Sequence, residues 1–244
     1  MNSKHSFQLN AFLRALFLIF SAAVYTCILA PPALTAILLD RSGRWFSAFE
    51  KTWAKWLLRT NSIQLNVQGL ENLEKSHSYI LISNHMSILD IPGVISALPF
   101  PVRFIAKRSL VWFPIFGWSL YLSGHILIDR DSALSAVKSL MQAASLLKNG
   151  TSIMVFAEGT RSPDGQVKEF KGGAFLLALK ARAPLVPVSI SDTYEMLPRT
   201  GWCFWPGTIK IYVDKPILTE DLSQRRARPL MVQVRETIIR NLQN

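Results

Sequence analysis

Two side chains in the segment Ser83-Asn84-His85-Met86-Ser87-Ile88-Leu89-Asp90 are of types that move protons. Imidazole, with an unperturbed pKa of ~6.5, suits removal of a proton from a hydroxyl near neutral pH. A carboxylate on its other ring nitrogen would fix the tautomer and stabilise the imidazolium that forms. The spacing constrains how the two could meet. On one ideal helix, five residues sweep ~500° and leave the side chains ~140° apart. On one ideal strand they point to opposite faces. They come together only if the chain turns between them. Ser87 suits a helix N-cap, which would leave His85 in the preceding loop and Asp90 in the first turn. Ser87-x-x-Asp90 also fits a capping box, a competing structural role for Asp90. Taken alone, a capped helix beside an incidental histidine is the simpler account.

Two further segments could bind an anion. Phe156-Ala157-Glu158-Gly159-Thr160-Arg161-Ser162 follows an apolar run that reads as a strand, and α/β sheets place ligands at the carboxyl ends of strands. Gly159 permits unusual backbone geometry, and Arg161 offers a planar fork for phosphate. The bland account is a strand-end turn with a surface ion pair. Lys168-Glu169-Phe170-Lys171-Gly172-Gly173 leads into a helical stretch whose N-terminus favours an anion. Lys107, Arg108 and Arg130 add cations on short connections; each alone is usually a solvated charge. The four histidines (His5, His77, His85, His125) show no metal-ligand spacing with the two cysteines, Cys27 and Cys203, or with one another. No metal site is expected. Two isolated cysteines make no disulfide framework. No Gly-x-Ser-x-Gly elbow is present to supply an esterase nucleophile.

The elements that must position these residues are legible as short β-branched runs alternating with helical stretches. Strands are expected at 63–67, 79–83, 103–106, 125–128, 152–157, 185–190 and 208–213. Helices are expected at 132–148, 172–181 and 229–242. The pattern implies an α/β fold with a largely parallel central sheet and flanking helices. Ser109–Ile128 carries no fully charged side chain, but Pro114, Gly117, Gly124 and His125 argue against a clean membrane span. It reads as core or as an apolar wall facing a membrane or an apolar ligand.

The N-terminus adds membrane-associated helices to this fold. No charged residue lies between Ala15 and Leu39, enough for a span of ~20 residues. Pro31-Pro32 is expected to interrupt it, leaving either one tilted span or a hairpin. From Arg41 to Arg59, helical spacing gathers Trp45, Phe46, Phe49, Trp53, Trp56 and Leu57 within ~120° of arc. Arg41, Arg44, Lys51, Lys55 and Arg59 fall opposite. That is the pattern of a helix in the membrane interface, although an amphipathic helix packed on the core would look similar. Residues 1–59 thus read as a membrane-association segment and 60–244 as the catalytic domain. The formal net charge of +11 favours anionic partners such as lipid headgroups. The basic residues are dispersed or membrane-adjacent and form no nucleic-acid motif.

Taken together and in order, these segments resemble the glycerolipid acyltransferases, especially the 1-acyl-sn-glycerol-3-phosphate acyltransferases. Asn84-His85-(four residues)-Asp90 is similar to that family's first motif. Lys107, Leu110, Pro114 and Gly117, then Gly124 through Ile128-Asp129-Arg130, resemble its second block. Phe156 through Ser162 resembles the third, and Ala183-Pro184-Leu185-Val186-Pro187-Val188 the fourth. One departure is Lys171-Gly172, where the family often carries two adjacent lysines. The resemblance implies that His85 is the base and Asp90 orients it. It implies that Lys107, Arg130, Glu158, Gly159, Thr160 and Arg161 hold the acceptor's phosphate, and that Asn84 and Pro187 shape the site. It further implies a lysophospholipid acceptor, acyl-CoA or acyl-carrier protein as the donor substrate, and no cofactor. The expected location is a membrane, the bacterial inner membrane, with the catalytic domain on its cytoplasmic side.

Overall fold

The computed structural model describes residues 2–40, 43–129 and 133–243, with the side chains of residues 2–7, 38 and 133–137 outside that description. Seven strands form one sheet: β1 (Gln64–Gln68), β2 (Ile80–Ser83), β3 (Val102–Lys107), β4 (Ile126–Ile128), β5 (Ser152–Phe156), β6 (Leu185–Ser191) and β7 (Thr208–Val213). Their order is β1-β7-β6-β2-β5-β3-β4. β6, β2, β5, β3 and β4 run parallel. β7 is antiparallel to β6, and β1 is parallel to β7. All seven strands lie within two residues of their expected bounds.

Burial follows from position in the sheet. β2 lies between β6 and β5 and is buried throughout, as a parallel strand covered on both faces must be. Along it, Leu81 faces one core, with Met154 and Val186; Ile80 and Ile82 face the other, with Ile153, Val155 and Leu185. The first core is covered by α1 (Asn2–Leu39), α2 (Arg44–Thr60) and α3 (Asp90–Ala97), and the second by α5 (Ala133–Lys148), α6 (Gly173–Ala181) and α8 (Ala227–Leu242). α4 (Phe116–Leu122) and the single turn α7 (Thr193–Met196) complete the helices. The reversed pair β1 and β7 alternates buried or half-buried with exposed residues, because helices cover only one of its faces.

The N-terminal helices depart from expectation in two ways. α1 runs unbroken through Pro31 and Pro32, so the expected interruption does not occur. The prolines remove two N–H donors from one side of the helix. The helix nevertheless stays packed through Ala30, Ala33 and Ala36, all buried. α2 then folds back antiparallel along α1. Asn61 Nδ2 donates to Ser21 Oγ, Trp53 Nε1 donates to Thr26 Oγ1, and the Tyr25 and Thr60 hydroxyls share a hydrogen bond. The aromatic arc of α2 therefore splits. Phe46 and Leu57 are buried and Trp53 packs on the core, while Trp45 and Trp56 face outward. Arg41 lies outside the described residues. Gln8–Ile37 of α1 is long and apolar enough to cross a membrane, and Leu13, Phe17 and Phe20 are among its exposed residues.

Ser109–Ile128 is not a span. It holds a 3-10 turn (Arg108–Trp112), then α4, then β4. A Cβ on Gly117 would run into the backbone of Leu110 and Val111, so glycine lets α4 lie directly on that turn. Trp112 and Phe113 remain exposed, as do Trp118 and Tyr121 on α4, which packs beside α1.

Candidate active site

The parallel strands β2, β5 and β3 end on one edge of the sheet, and the loops leaving that edge carry the chemistry. After Ser83 the chain leaves β2 and turns before α3. Asn84 sets the start of that turn. Its side chain accepts from Ile190 N–H (2.9 Å) and its Nδ2 donates to Ile190 O (2.8 Å). The amide thus continues the β2–β6 ladder after the β2 backbone has left it.

The turn brings His85 and Asp90 together, with Nδ1 2.7 Å from Asp90 Oδ2. The same oxygen accepts the backbone N–H groups of Met86 (2.8 Å) and Ser87 (3.0 Å). Asp90 therefore makes a capping contact to Ser87 and a contact to the imidazole at once. The two roles that compete on sequence grounds coexist. A carboxylate only accepts, so the imidazole proton sits on Nδ1 and the Nε2 lone pair is available. Asp90 is wholly buried, while the His85 side chain keeps 14% of its surface exposed.

A second loop, after β5, locks onto the first. Glu158 Oε1 accepts His85 N–H (2.9 Å) and Oε2 accepts Lys168 N–H (3.1 Å). Ser162 N–H donates to His85 O (2.7 Å). Glu158 is buried, and that burial is the main cause pushing its carboxyl above the usual range, against the two N–H groups that lower it. Its carboxylate is engaged in joining two loops, a position suited to shaping the site rather than to meeting a phosphate directly. Gly159 takes φ 72°, and a Cβ there would press on the Lys171 side chain, with Nζ at 3.2 Å. Glycine is needed twice, for the left-handed backbone and for the passage of Lys171. Burial and the nearby Arg199 hold the Arg161 guanidinium below its ordinary value, and Arg199 Nη1 donates to Arg161 O (3.2 Å).

The fold gathers Asn84, His85, Asp90, Glu158, Gly159 and Thr160 in these two loops. Arg161 follows them, close enough for its charge to act on Asp90. Lys107 ends β3 on the same edge of the sheet and is exposed. Pro187 sits apart from the histidine, within β6 opposite Ile82. Its carbonyl accepts Asp214 N–H (3.0 Å) just past the last β6–β7 pair, Val188↔Val213, so its missing N–H costs only the terminal bond of that ladder. Arg130 lies outside the described residues. Sequence reasoning assigned no place to Arg199 or to the ring of Phe156, which stacks on His85 with centroids 3.9 Å apart. Phe156 opens the segment that resembles the family's third block, but nothing in the local pattern shows that its ring meets the histidine.

Comparison with known proteins bears on this arrangement. The Acyltransferase family model matches residues 64–191, which span both loops. The chain is 36% identical over 185 residues to the chloroplastic 1-acyl-sn-glycerol-3-phosphate acyltransferase BAT2 of Brassica napus, covering 74% of this chain and 53% of that protein. It is 34% identical over 178 residues to the human 1-acyl-sn-glycerol-3-phosphate acyltransferase alpha, covering 72% and 63%. The chain thus spans between half and two thirds of the length of these relatives. Among solved structures, it matches the 1-acyl-sn-glycerophosphate acyltransferase PlsC of Thermotoga maritima with a TM-score of 0.83 at 30% identity, over 96% of this chain and 95% of that one.

Proposed function

This chain belongs to the acyltransferase family, and on that premise we propose that it transfers a fatty acyl group to the sn-2 hydroxyl of 1-acyl-sn-glycerol 3-phosphate, giving phosphatidic acid. The relatives named above carry that activity in their names. The observation that carries the reading is the His85–Asp90 contact at 2.7 Å, with Nδ1 committed to the carboxylate and Nε2 left to act. The donor is a thioester, acyl-CoA or acyl-carrier protein. Nε2 takes the proton of the acceptor hydroxyl as its oxygen attacks the thioester carbonyl. Asp90 stabilises the imidazolium that forms. The tetrahedral intermediate collapses with cleavage of the C–S bond, and the imidazolium returns its proton to the leaving thiolate. No covalent enzyme intermediate is needed. Arg161, Lys107 and Arg130 hold the acceptor's phosphate, with Gly159 and Thr160 supplying backbone and hydroxyl beside it. Glu158 and Asn84 keep the two loops in register.

The acceptor and product are lipids, and the exposed apolar faces of α1 and α4 suit a bilayer surface. The net charge of +11 favours an anionic leaflet. We place the enzyme at a bacterial inner membrane with its catalytic loops toward the cytoplasm, where thioester donors are made. The test is transfer of radiolabelled palmitate from palmitoyl-CoA, or from acyl-carrier protein, to a panel of lysolipids by membranes carrying wild type or His85→Ala. Transfer to lysophosphatidic acid that vanishes in His85→Ala supports both acceptor and base. Transfer to another lysolipid keeps the mechanism and changes the acceptor. Undiminished transfer by His85→Ala removes the mechanism.

A further inference from the structure

The bond to Asp90 holds one ring nitrogen, but small coupled turns about Cα–Cβ and Cβ–Cγ can still tilt the ring plane. Such a tilt would turn the Nε2 lone pair off an acceptor while keeping Nδ1 near Asp90 Oδ2, now at 2.7 Å. A second constraint is present. The imidazole lies on Phe156 with ring planes 13° apart and centroids separated by 3.9 Å. Phe156 is backed in turn by Phe104, at 6.1 Å and 23°. Phe104 is held through its N–H, which donates to His125 Nδ1 (3.0 Å). The phenyl face is therefore anchored rather than loose.

We propose that Phe156 is a positioning residue for His85: its ring keeps the imidazole plane from tilting and so aims the Nε2 lone pair at the acceptor hydroxyl. The proposal rests on the acyl-transfer reading given above. An aromatic face does two things here that an aliphatic side chain of similar size does not. It offers a flat surface that selects one ring orientation, and its negative face favours the imidazolium over the neutral imidazole. Among the described residues, the charged groups acting on this imidazole are Asp90 from α3 and Glu158 from the loop after β5, and Arg161 of that loop acts in turn on Asp90. None of the substitutions below touches them.

The test compares wild type with Phe156→Leu, Phe156→Tyr and His85→Ala in transfer from palmitoyl-CoA to lysophosphatidic acid, with kcat, KM and the pH profile recorded for each. Phe156→Leu is expected to lower kcat by roughly tenfold with KM changed by less than about twofold. The acid limb of its pH profile should move to lower pH, because the imidazolium has lost its aromatic face. Phe156→Tyr restores the face and should keep both kcat and the profile near wild type. Phe156→Met, which fills the space without a plane, replaces Phe156→Leu if that variant fails to fold. Turnover and profile in Phe156→Leu matching wild type overturn the proposal, as does a loss confined to KM or an equal loss in Phe156→Tyr. If wild type transfers nothing, or His85→Ala still transfers, the acyl-transfer reading falls and this proposal with it. If His85→Ala is inactive while Phe156→Leu turns over normally, only the role of Phe156 falls.

Discussion

Asp90→Asn separates the two duties of that carboxylate. Oδ2 receives three donors, from His85 Nδ1 at 2.7 Å and from the Met86 and Ser87 backbone at 2.8 and 3.0 Å. Oδ1 is buried with no hydrogen-bond partner among the described residues. Asparagine must place its oxygen where Oδ2 stands, because the other orientation aims an NH2 group at three donors. The three contacts and the imidazole tautomer then survive, and the charge alone is lost. A neutral imidazole loses little from that change. In the transition state it is an imidazolium, and opposite unit charges ~4 Å apart at an effective dielectric of ~20 attract by about 4 kcal/mol. That is close to three decades in rate. We expect kcat to fall by ~10²–10³ with KM nearly unchanged, within the range of general-base contributions. The amide nitrogen inherits the partnerless position of Oδ1, which should cost about 1–3 kcal/mol of stability. Initial rates with thermal unfolding of the same preparation measure both. A kcat within about fivefold of wild type would refute this reasoning and leave Asp90 as a cap for α3.

Other perturbations test the loops. Asn84→Ala strips two hydrogen bonds from the buried Ile190 backbone and should destabilise the protein by ~2–4 kcal/mol, read as a lowered urea midpoint. Gly159→Ala, at φ 72° and with a Cβ against Lys171, should cost about 1 kcal/mol in backbone strain. It should raise KM for lysophosphatidic acid more than it lowers kcat, measured by substrate titration. Burial raises the Glu158 carboxyl above its ordinary value of 4.5. Above that value the unfolded chain releases its proton first, so this group's contribution to stability is fully present below it and is lost as pH rises through the folded value. Unfolding of wild type and Glu158→Gln across that range should show the difference between them shifting in favour of the variant with rising pH; parallel curves would contradict it.

The strands were legible because each is a short β-branched run bounded by turn residues, and that pattern survives any tertiary context. Their order was not, nor was the reversal of β7 against β6, since pairing partners such as Ser189 and Tyr212 carry no local sign of each other. Helix breaks were over-read at Pro31-Pro32, where packing of the flanking alanines overrides the lost donors. Within the site, the spacing of His85 and Asp90 left a cap and a base-orienting pair as rivals, and only the turn itself shows one oxygen doing both. Phe156 and Arg199 escaped because their significance lies in what they touch across the fold. The sequence marked His125 as the start of a strand within the second block, with no sign of its partners. The structure makes it a buried link, accepting Phe104 N–H at Nδ1 with Nε2 2.7 Å from Glu50 of α2.

That link ties α2 to the His85 loop. The sequence divides at residue 59, but the packing does not. Ala15 and Leu18 of α1 and Leu57 and Leu58 of α2 share one core with Leu81 of β2 and Met154 of β5. Arg103, from β3, donates to Ser47 of α2 at 3.0 Å and lies 3.6 Å from Glu50. Because Phe104 N–H occupies His125 Nδ1, the imidazole proton sits on Nε2 and is donated to Glu50. Breaking this cluster would strand buried polar groups at about 1–3 kcal/mol each. From α2 the contacts then run without a gap: Glu50 to His125, His125 to Phe104, Phe104 to Phe156, Phe156 to His85. The helix that carries Trp45 and Trp56 outward is therefore fixed in height relative to the imidazole. A flexible tether would leave His85 at any distance from those outward tryptophans, whereas a helix built into the core sets that distance through the fold itself.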